Sequence, residues 1–197
     1  MRKGELTREH ILDKAATLFN RQGFSGASLS DIMEATGLQK GGIYRHFESK
    51  EALALEAFDH AVGRVRARFV EALADRRHAM DRLLAIVSVF RAYVTDPPIS
   101  GGCPVMNTAI ENDDGNPELR RRARAAMEEW RTLIRRTVEK GVERGELRPE
   151  TDAEALAVTT ISLLEGAIMM SKLYRDPAPI RHAVEHLERH LEANVRA

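Results

Sequence analysis

The chain has 197 residues, 43% of them apolar and 30% charged, which gives it enough apolar surface for a real core and excludes a disordered polyelectrolyte. Its 30 Lys and Arg balance its 30 Asp and Glu, so net charge argues neither for nor against a nucleic-acid partner. The single cysteine, Cys103, excludes an internal disulfide framework and suits a reducing compartment. The N-terminus alternates charged and apolar residues, so it lacks the apolar region of a secretory signal. No run of apolar residues is long enough for a membrane span, and the expected location is the cytoplasm.

The pattern is helical nearly throughout. Ile11, Leu12, Ala15, Ala16 and Phe19 form one stripe of a first helix that Gly23 can end. Ser28, with Asp31 three residues on, starts a second helix as a short capping box, and Gly37 breaks it. A brief helical stretch covers residues 40–47. Ser49 then caps a long helix carrying Leu55, Phe58, Val62, Val65, Phe69 and Leu73. Leu83, Val87, Phe90 and Val94 mark the next helix, which must stop before Pro97 and Pro98.

Residues 96–117 are the one long interruption, with a helical turn or two expected at 105–112. Asn116, Pro117 and Glu118 read as cap, first-turn proline and first-turn acid. Leu119, Ala123, Met127, Trp130, Ile134 and Val138 carry the following helix to Gly145. Thr151 and Glu154 form a second capping box, and Asp176–Pro177 opens the last helix. No segment alternates as a strand does. The fold class is therefore all-α, with about nine helices. The first three helices are short and the rest long, which divides the chain into a small module, 1–50, and a larger helical bundle, 51–197.

The stretch 28–53, SLSDIMEATGLQKGGIYRHFESKEAL, is a helix, a glycine-containing turn and a second short helix, the plan of a helix-turn-helix. Ile32 and Ala35 are expected to face Ile43 and Phe47 in the module core. That leaves Gln39, Lys40, Gly41, Gly42, Tyr44 and His46 at the front of the second helix, the part that enters a major groove in such motifs.

The spaced set Ser28, Ile32, Ala35, Gly37, Leu38, Lys40, Gly41, Ile43, Tyr44, His46, Phe47, Ser49, Lys50, Glu51 and Leu53 resembles the DNA-binding domain of the tetracycline-repressor (TetR) family. Ile11, Ala15, Phe19, Gly23 and Phe24 continue the likeness. Met33, Gln39 and Gly42 depart from the commoner residues, and the last two lie on the expected DNA face. The resemblance implies a bacterial, sequence-specific regulator, a repressor released from its operator by a small molecule. It makes Tyr44 and His46 phosphate-backbone contacts. Lys50 and the amide ends of the helices at Ser28 and Lys40 would hold phosphates. Gln39, Lys40, Gly41 and Gly42 lie nearest base edges, and Thr7 and Arg8 add a backbone contact. Residues 1–50 carry eight Lys and Arg against six Asp and Glu, so a moderate salt dependence is expected.

Residues 152–174 are apolar around most of a helix, so burial on more than one side is expected. Leu163, Gly166, Ala167 and Met170 there, with Ile180, Val184, Leu187 and Leu191 on the last helix, suggest a two-fold, four-helix dimer interface. Such a dimer places two reading heads on a near-palindromic double-stranded operator. An effector pocket is expected among Phe90, Tyr93, Cys103, Met106, Asn107, Trp130, Ile134, Ile161, Glu165 and Met169, a few polar groups in an apolar lining. The plain alternative is that these residues are simply core.

Three features imitate chemistry. Cys103 has no nearby Lys or Arg in sequence to make it a reactive thiol. His182, His186 and His190 recur every four residues as metal ligands do, or as a solvated stripe does. Residues 112–118, NDDGNPE, lack the terminal acid of a calcium loop. The run Arg120, Arg121, Arg122 and Arg124 reads as a solvated helix face. No cofactor, metal or enzymatic motif is expected, since nucleophile elbow, phosphate loop and zinc signatures are missing and Glu165 alone is not a mechanism. A helical interaction protein that ignores DNA is the remaining rival.

Overall fold

The computed structural model describes residues 3–93 and 95–197, with Lys3 described by its backbone; Arg2, counted above among the module's cations, and Val94, expected on the fifth helical stripe, lie outside them. Nine α-helices are found among the described residues: α1 (Lys3–Gln22), α2 (Leu29–Thr36), α3 (Lys40–Tyr44), α4 (Lys50–Leu73), α5 (Ala79–Arg91), α6 (Pro104–Glu111), α7 (Pro117–Glu143), α8 (Ala153–Tyr174) and α9 (Ala178–His190). A π-helical turn, Leu191–Val195, extends α9, and Leu147 pairs with Arg196 in a single antiparallel bridge. The tail is thereby tied down.

Most helix ends follow the residues that announced them. Ser28 and Asp31 close a reciprocal capping box on α2, and Gly37 ends it at φ 68°, where a side chain would be strained. The Asn116 Oδ1 accepts from the Glu118 and Leu119 N–H groups at the start of α7. One cap differs. Thr151 does not form a box with Glu154; Asp152, one residue later, accepts from Glu154 N and Ala155 N. Its short carboxylate reaches both orphan donors, and the Glu154 side chain pairs with Arg131 instead.

Contacts divide the chain into two compact units, 1–65 with 98–124 and 66–97 with 125–197. These cross the expected boundary at residue 50, because α4 contributes residues to both and the segment around α6 belongs to the first.

The first unit is built on Ile11, Ala15, Ala16, Ile32, Ile43, Phe47, Leu53, Ala57, Ala61 and Ile99, with Leu12, Leu18, Phe19 and Met33 packed against them. Ala35, expected in this core, is exposed, and Thr36 is buried in its place. Helical spacing explains this: Thr36 lies four residues after Ile32, and its hydroxyl is satisfied by donating to the Ile32 carbonyl at 2.7 Å.

In the second unit α9 packs against α5 and α8. α8 is long and apolar enough by composition to cross a membrane, yet Leu156, Ala157, Leu164, Ala167 and Ile168 are buried inside the unit. One face of α8 therefore belongs to the unit's core.

Candidate nucleic-acid interface

The position of α3 follows from apolar burial on one side. Ile43 and Phe47 are buried in the first unit's core, which turns the remaining side chains of this five-residue helix outward. Gln39, Lys40, Gly41, Tyr44 and Arg45 are exposed; Gly42 and His46 are half-buried. The Lys40 ammonium lies over the Tyr44 ring, 5.7 Å from its centre, so a cation and a phenol share one patch. The Gln39 side chain makes no capping bond to α3.

The paired glycines are not demanded by the fold. A Cβ on Gly41 would meet nothing within 4 Å, and one on Gly42 would make ordinary contact with Leu38. Neither has a left-handed backbone. A side chain at either position is therefore sterically tolerated by the chain itself.

The expected phosphate holders divide. Thr7 is half-buried on α1. The Ser28 N–H and hydroxyl both donate to the Asp31 carboxylate at 2.7 Å, so this residue is engaged as a cap, and those bonds hold Asp31 below the usual carboxylate range. The Lys50 ammonium donates to the Phe24 carbonyl at 2.7 Å and stands 4.4 Å from the Phe24 ring centre. Lys50 thus fastens the α1–α2 turn to the start of α4. Arg8 pairs with Glu56 and stacks over Phe47, which commits it to the module. Arg45 was not singled out from sequence. It is exposed beside Tyr44 with no ion pair among the described residues, and only its place after the reading helix could have marked it.

A second set of bonds stiffens this unit. Asn20 Nδ2 donates to the carbonyls of Ser100 and Gly102, while Asn107 Nδ2 donates to the backbone and side-chain oxygens of Asn20. The Glu111 carboxylate accepts from Phe24 N and Ser25 N at 2.9 and 2.8 Å. α6 is thereby clasped to the turn that precedes α2.

The residues expected to line an effector pocket fall in both units. Cys103, Met106 and Asn107 belong to the first; Cys103 is buried as the N-cap of α6, Met106 is half-buried, and Asn107 is bonded as just described. Phe90, Tyr93, Trp130, Ile134, Ile161, Glu165 and Met169 belong to the second. Phe90 stacks on Tyr93 at 5.3 Å and meets Trp130 edge-on at 6.3 Å; Phe69, missed as a wall, completes the cluster at 5.7 Å from Phe90. Phe90, Trp130, Ile134 and Ile161 do surround a common cavity, but it holds only about 10 Å³. Glu165 is buried, and Met169 is 49% exposed.

The expected dimer residues need a correction. Ile180, Val184, Leu187 and Leu191 are buried within the second unit itself, so they are closed to a second copy. Ala167 is buried as well, and Leu163 and Gly166 are half-buried. On α8 itself, Val158, Met169, Met170, Leu173 and Tyr174 are exposed. Among the described residues no group of three or more His, Cys, Asp and Glu could hold a metal ion, and His186 stacks on His190 instead.

Residues 11–57 match the family model described as bacterial regulatory proteins, tetR family, and residues 79–187 match the tetracyclin repressor-like C-terminal domain. The crystal structure of a TetR transcriptional regulator from Chloroflexus aurantiacus superposes with a TM-score of 0.96 at 52% identity, covering 100% of this chain and 99% of that one. The HTH-type transcriptional repressor ComR of Escherichia coli is 31% identical over 81% of this chain and 76% of its own length. A regulator from Saccharomonospora viridis, solved in complex with choline, has a TM-score of 0.84 at 25% identity, covering 98% of this chain and 99% of that one.

Proposed function

This chain belongs to the TetR family of helix-turn-helix transcriptional regulators, and on that premise we propose that it is a repressor whose homodimer leaves its operator when a small molecule binds the second unit. The observation that carries the reading is the outward face of α3. Gln39, Lys40, Tyr44 and Arg45 are exposed around two glycines that the fold does not require. Lys40, Tyr44, Arg45 and His46 supply phosphate contacts, and Gln39 with Lys40 supplies base contacts. Thr7, Ser28 and Lys50 act at the edge of this surface, the last two chiefly by holding the turns before α2 and α4. Residues 1–65 with 98–124 form the reading unit, and 66–97 with 125–197 serve ligand and dimer.

Dimerisation uses the exposed stripe of α8. Val158, Met169 and Leu173 follow helical spacing with half-buried Gly166 between them, flanked by Met170 and Tyr174. Exposed apolar residues gathered on one helix in this way mark an interface rather than a solvated face. Two copies place two reading helices on a near-palindromic site.

The fold relative that holds choline supports a small-molecule effector for this architecture. A ligand shifts the equilibrium only by the difference between its affinities for the two states. α4 and α7, uninterrupted helices that each have residues in both units, are elements able to carry that difference.

Selection of sites from a random duplex pool, at one stated salt concentration, tests the reading. Enrichment of a near-palindrome is expected. Failure of any sequence to enrich across low and moderate salt would overturn it in favour of an interaction protein.

A further inference from the structure

This inference rests on the effector reading and names the chemistry of the effector. In the second unit, residues 76, 77, 79 and 82 face residues of α7 across an open cleft of about 1010 Å³. Its walls carry Arg76, Arg77, Arg82, Arg136, Lys140 and Arg144 against two acids, Glu128 and Glu129. Both acids have basic partners, Glu128 in Arg131 at 2.9 Å, which it shares with Glu154, and Glu129 in Arg66 at 2.6 Å. Arg144 stands 3.9 Å from Glu146, whose other oxygen accepts from Ala79 N at 2.6 Å.

The remaining five cations make no ion pair with any described carboxylate. Arg76 and Arg82 donate to the Ala72 and Arg76 carbonyls at 2.8 and 3.0 Å, bonds that orient the guanidinium without cancelling its charge. Proximity to the carboxyl end of α7 accounts for Lys140 and Arg144, because the helix dipole favours cations there. It does not account for Arg76, Arg77 and Arg82 gathered opposite them.

Beside the cleft lies a largely apolar pocket of about 420 Å³, bounded by Phe69, Val70, Leu73 and Trp130 with Arg66 at its wall. The two share Arg82, Glu129 and Leu133 as walls. Val70 is 64% exposed there, an apolar surface without a cover inside the chain.

We propose that pocket and cleft form one site for an amphiphilic polyanion, an acyl chain carried on a head with several phosphate charges. The chain lies against Val70, Leu73 and Trp130, and the phosphates lie among Arg76, Arg77, Arg82, Arg136 and Lys140. Guanidinium groups match phosphate oxygens two at a time. A single carboxylate leaves most of the cluster uncompensated, so a fatty acid is the poorer fit, and a cation such as choline is repelled.

The test titrates the purified protein, without DNA, with octanoyl-coenzyme A, coenzyme A, octanoate and choline at one ionic strength. Octanoyl-coenzyme A is expected to bind at least about tenfold more tightly than coenzyme A or octanoate, with choline silent. The Arg136→Ala/Lys140→Ala variant should lose about tenfold or more for octanoyl-coenzyme A while keeping its thermal transition. Val70→Ser should erase most of the advantage over coenzyme A alone. Equal binding of octanoyl-coenzyme A and coenzyme A would reduce the site to a polyanion patch and overturn the proposal. So would equal binding of octanoate, indifference to the double variant, or no binding at all. Since no DNA is present, failure here leaves operator selection untouched, and failure of operator selection leaves this titration standing.

Discussion

The side-chain amide of Asn107 donates to both the backbone carbonyl and the Oδ1 of Asn20, at 3.0 and 2.9 Å, and so ties α6 to the end of α1. Asn20 is buried, and its own amide holds the loop before α6. Replacing Asn107 with Leu strands buried oxygens, which costs on the order of 1–3 kcal/mol. Urea unfolding of Asn107→Leu, Asn20→Ala and the double variant should show non-additive losses. Strict additivity would mean that the two side chains are energetically independent.

Gly41→Ala separates folding from reading. A methyl group at this position meets nothing, and alanine favours helix over glycine by up to about 1 kcal/mol, so the thermal transition should hold or rise. Affinity for the selected operator should nevertheless fall by about tenfold if DNA approaches the α3 backbone closely. Unchanged affinity in fluorescence anisotropy would assign the glycine no part in recognition.

Gly141→Ala is expected to act in the opposite sense. Its Cβ would lie 2.5 Å from the Ala79 Cβ and 2.6 Å from a Leu147 methyl, far inside contact distance. Relief requires α5 and α7 to part, at a cost on the order of 1–3 kcal/mol. A denaturation midpoint equal to that of the parent chain would show that the helices yield freely.

Leu173→Glu should convert dimer to monomer. Leu173 is 70% exposed and Tyr174 is 64% exposed, so a charge there costs an isolated chain little but is buried unpaired between two copies. Sedimentation velocity reads the result, and a dimer that persists at micromolar concentration would move the interface away from α8.

Glu118 is a pH marker for the start of α7. Hydrogen bonds from Arg121, then from Arg122, hold its carboxyl down at about 2, below its ordinary 4.5. The folded value is the lower one, so the stabilisation is present above the ordinary value and fades as pH falls from about 4.5 toward about 2. Carboxyl carbon NMR should place its midpoint near the lower value, and Arg121→Ala should move it upward. A midpoint already at the ordinary value would show that the bonds do not hold in solution.

Much of this was legible in the chain itself, and the failures share a cause. Ser28, Gly37 and Asn116 announced helix ends because capping is local chemistry. The face of α3 could be read because Ile43 and Phe47 claim the other side. An apolar stripe, by contrast, reads the same whether its cover comes from its own chain or from a second copy, which is why Ile180, Val184, Leu187 and Leu191 were expected outside and are buried within. Asn107 looked like a pocket polar group because its partner, Asn20, is remote in sequence. Arg76 and Arg136 lie far apart in the chain, and only folding brings them to one cleft.

Ile99 packs in the same core as Ile32 and Ile43, Asn107 grips Asn20 near the end of α1, and Glu111 grips the turn ahead of α2. The reading head is therefore not a portable cassette. A chimera spliced at residue 50 would transplant its recognition helix without Leu53, Ala57, Ala61 and Ile99, which share its core, and would inherit whatever mismatch the recipient offers in their place. Grafting 1–65 together with 98–124 carries the whole seat across, and chimeras built that way should keep the donor's operator preference where simple N-terminal swaps lose it.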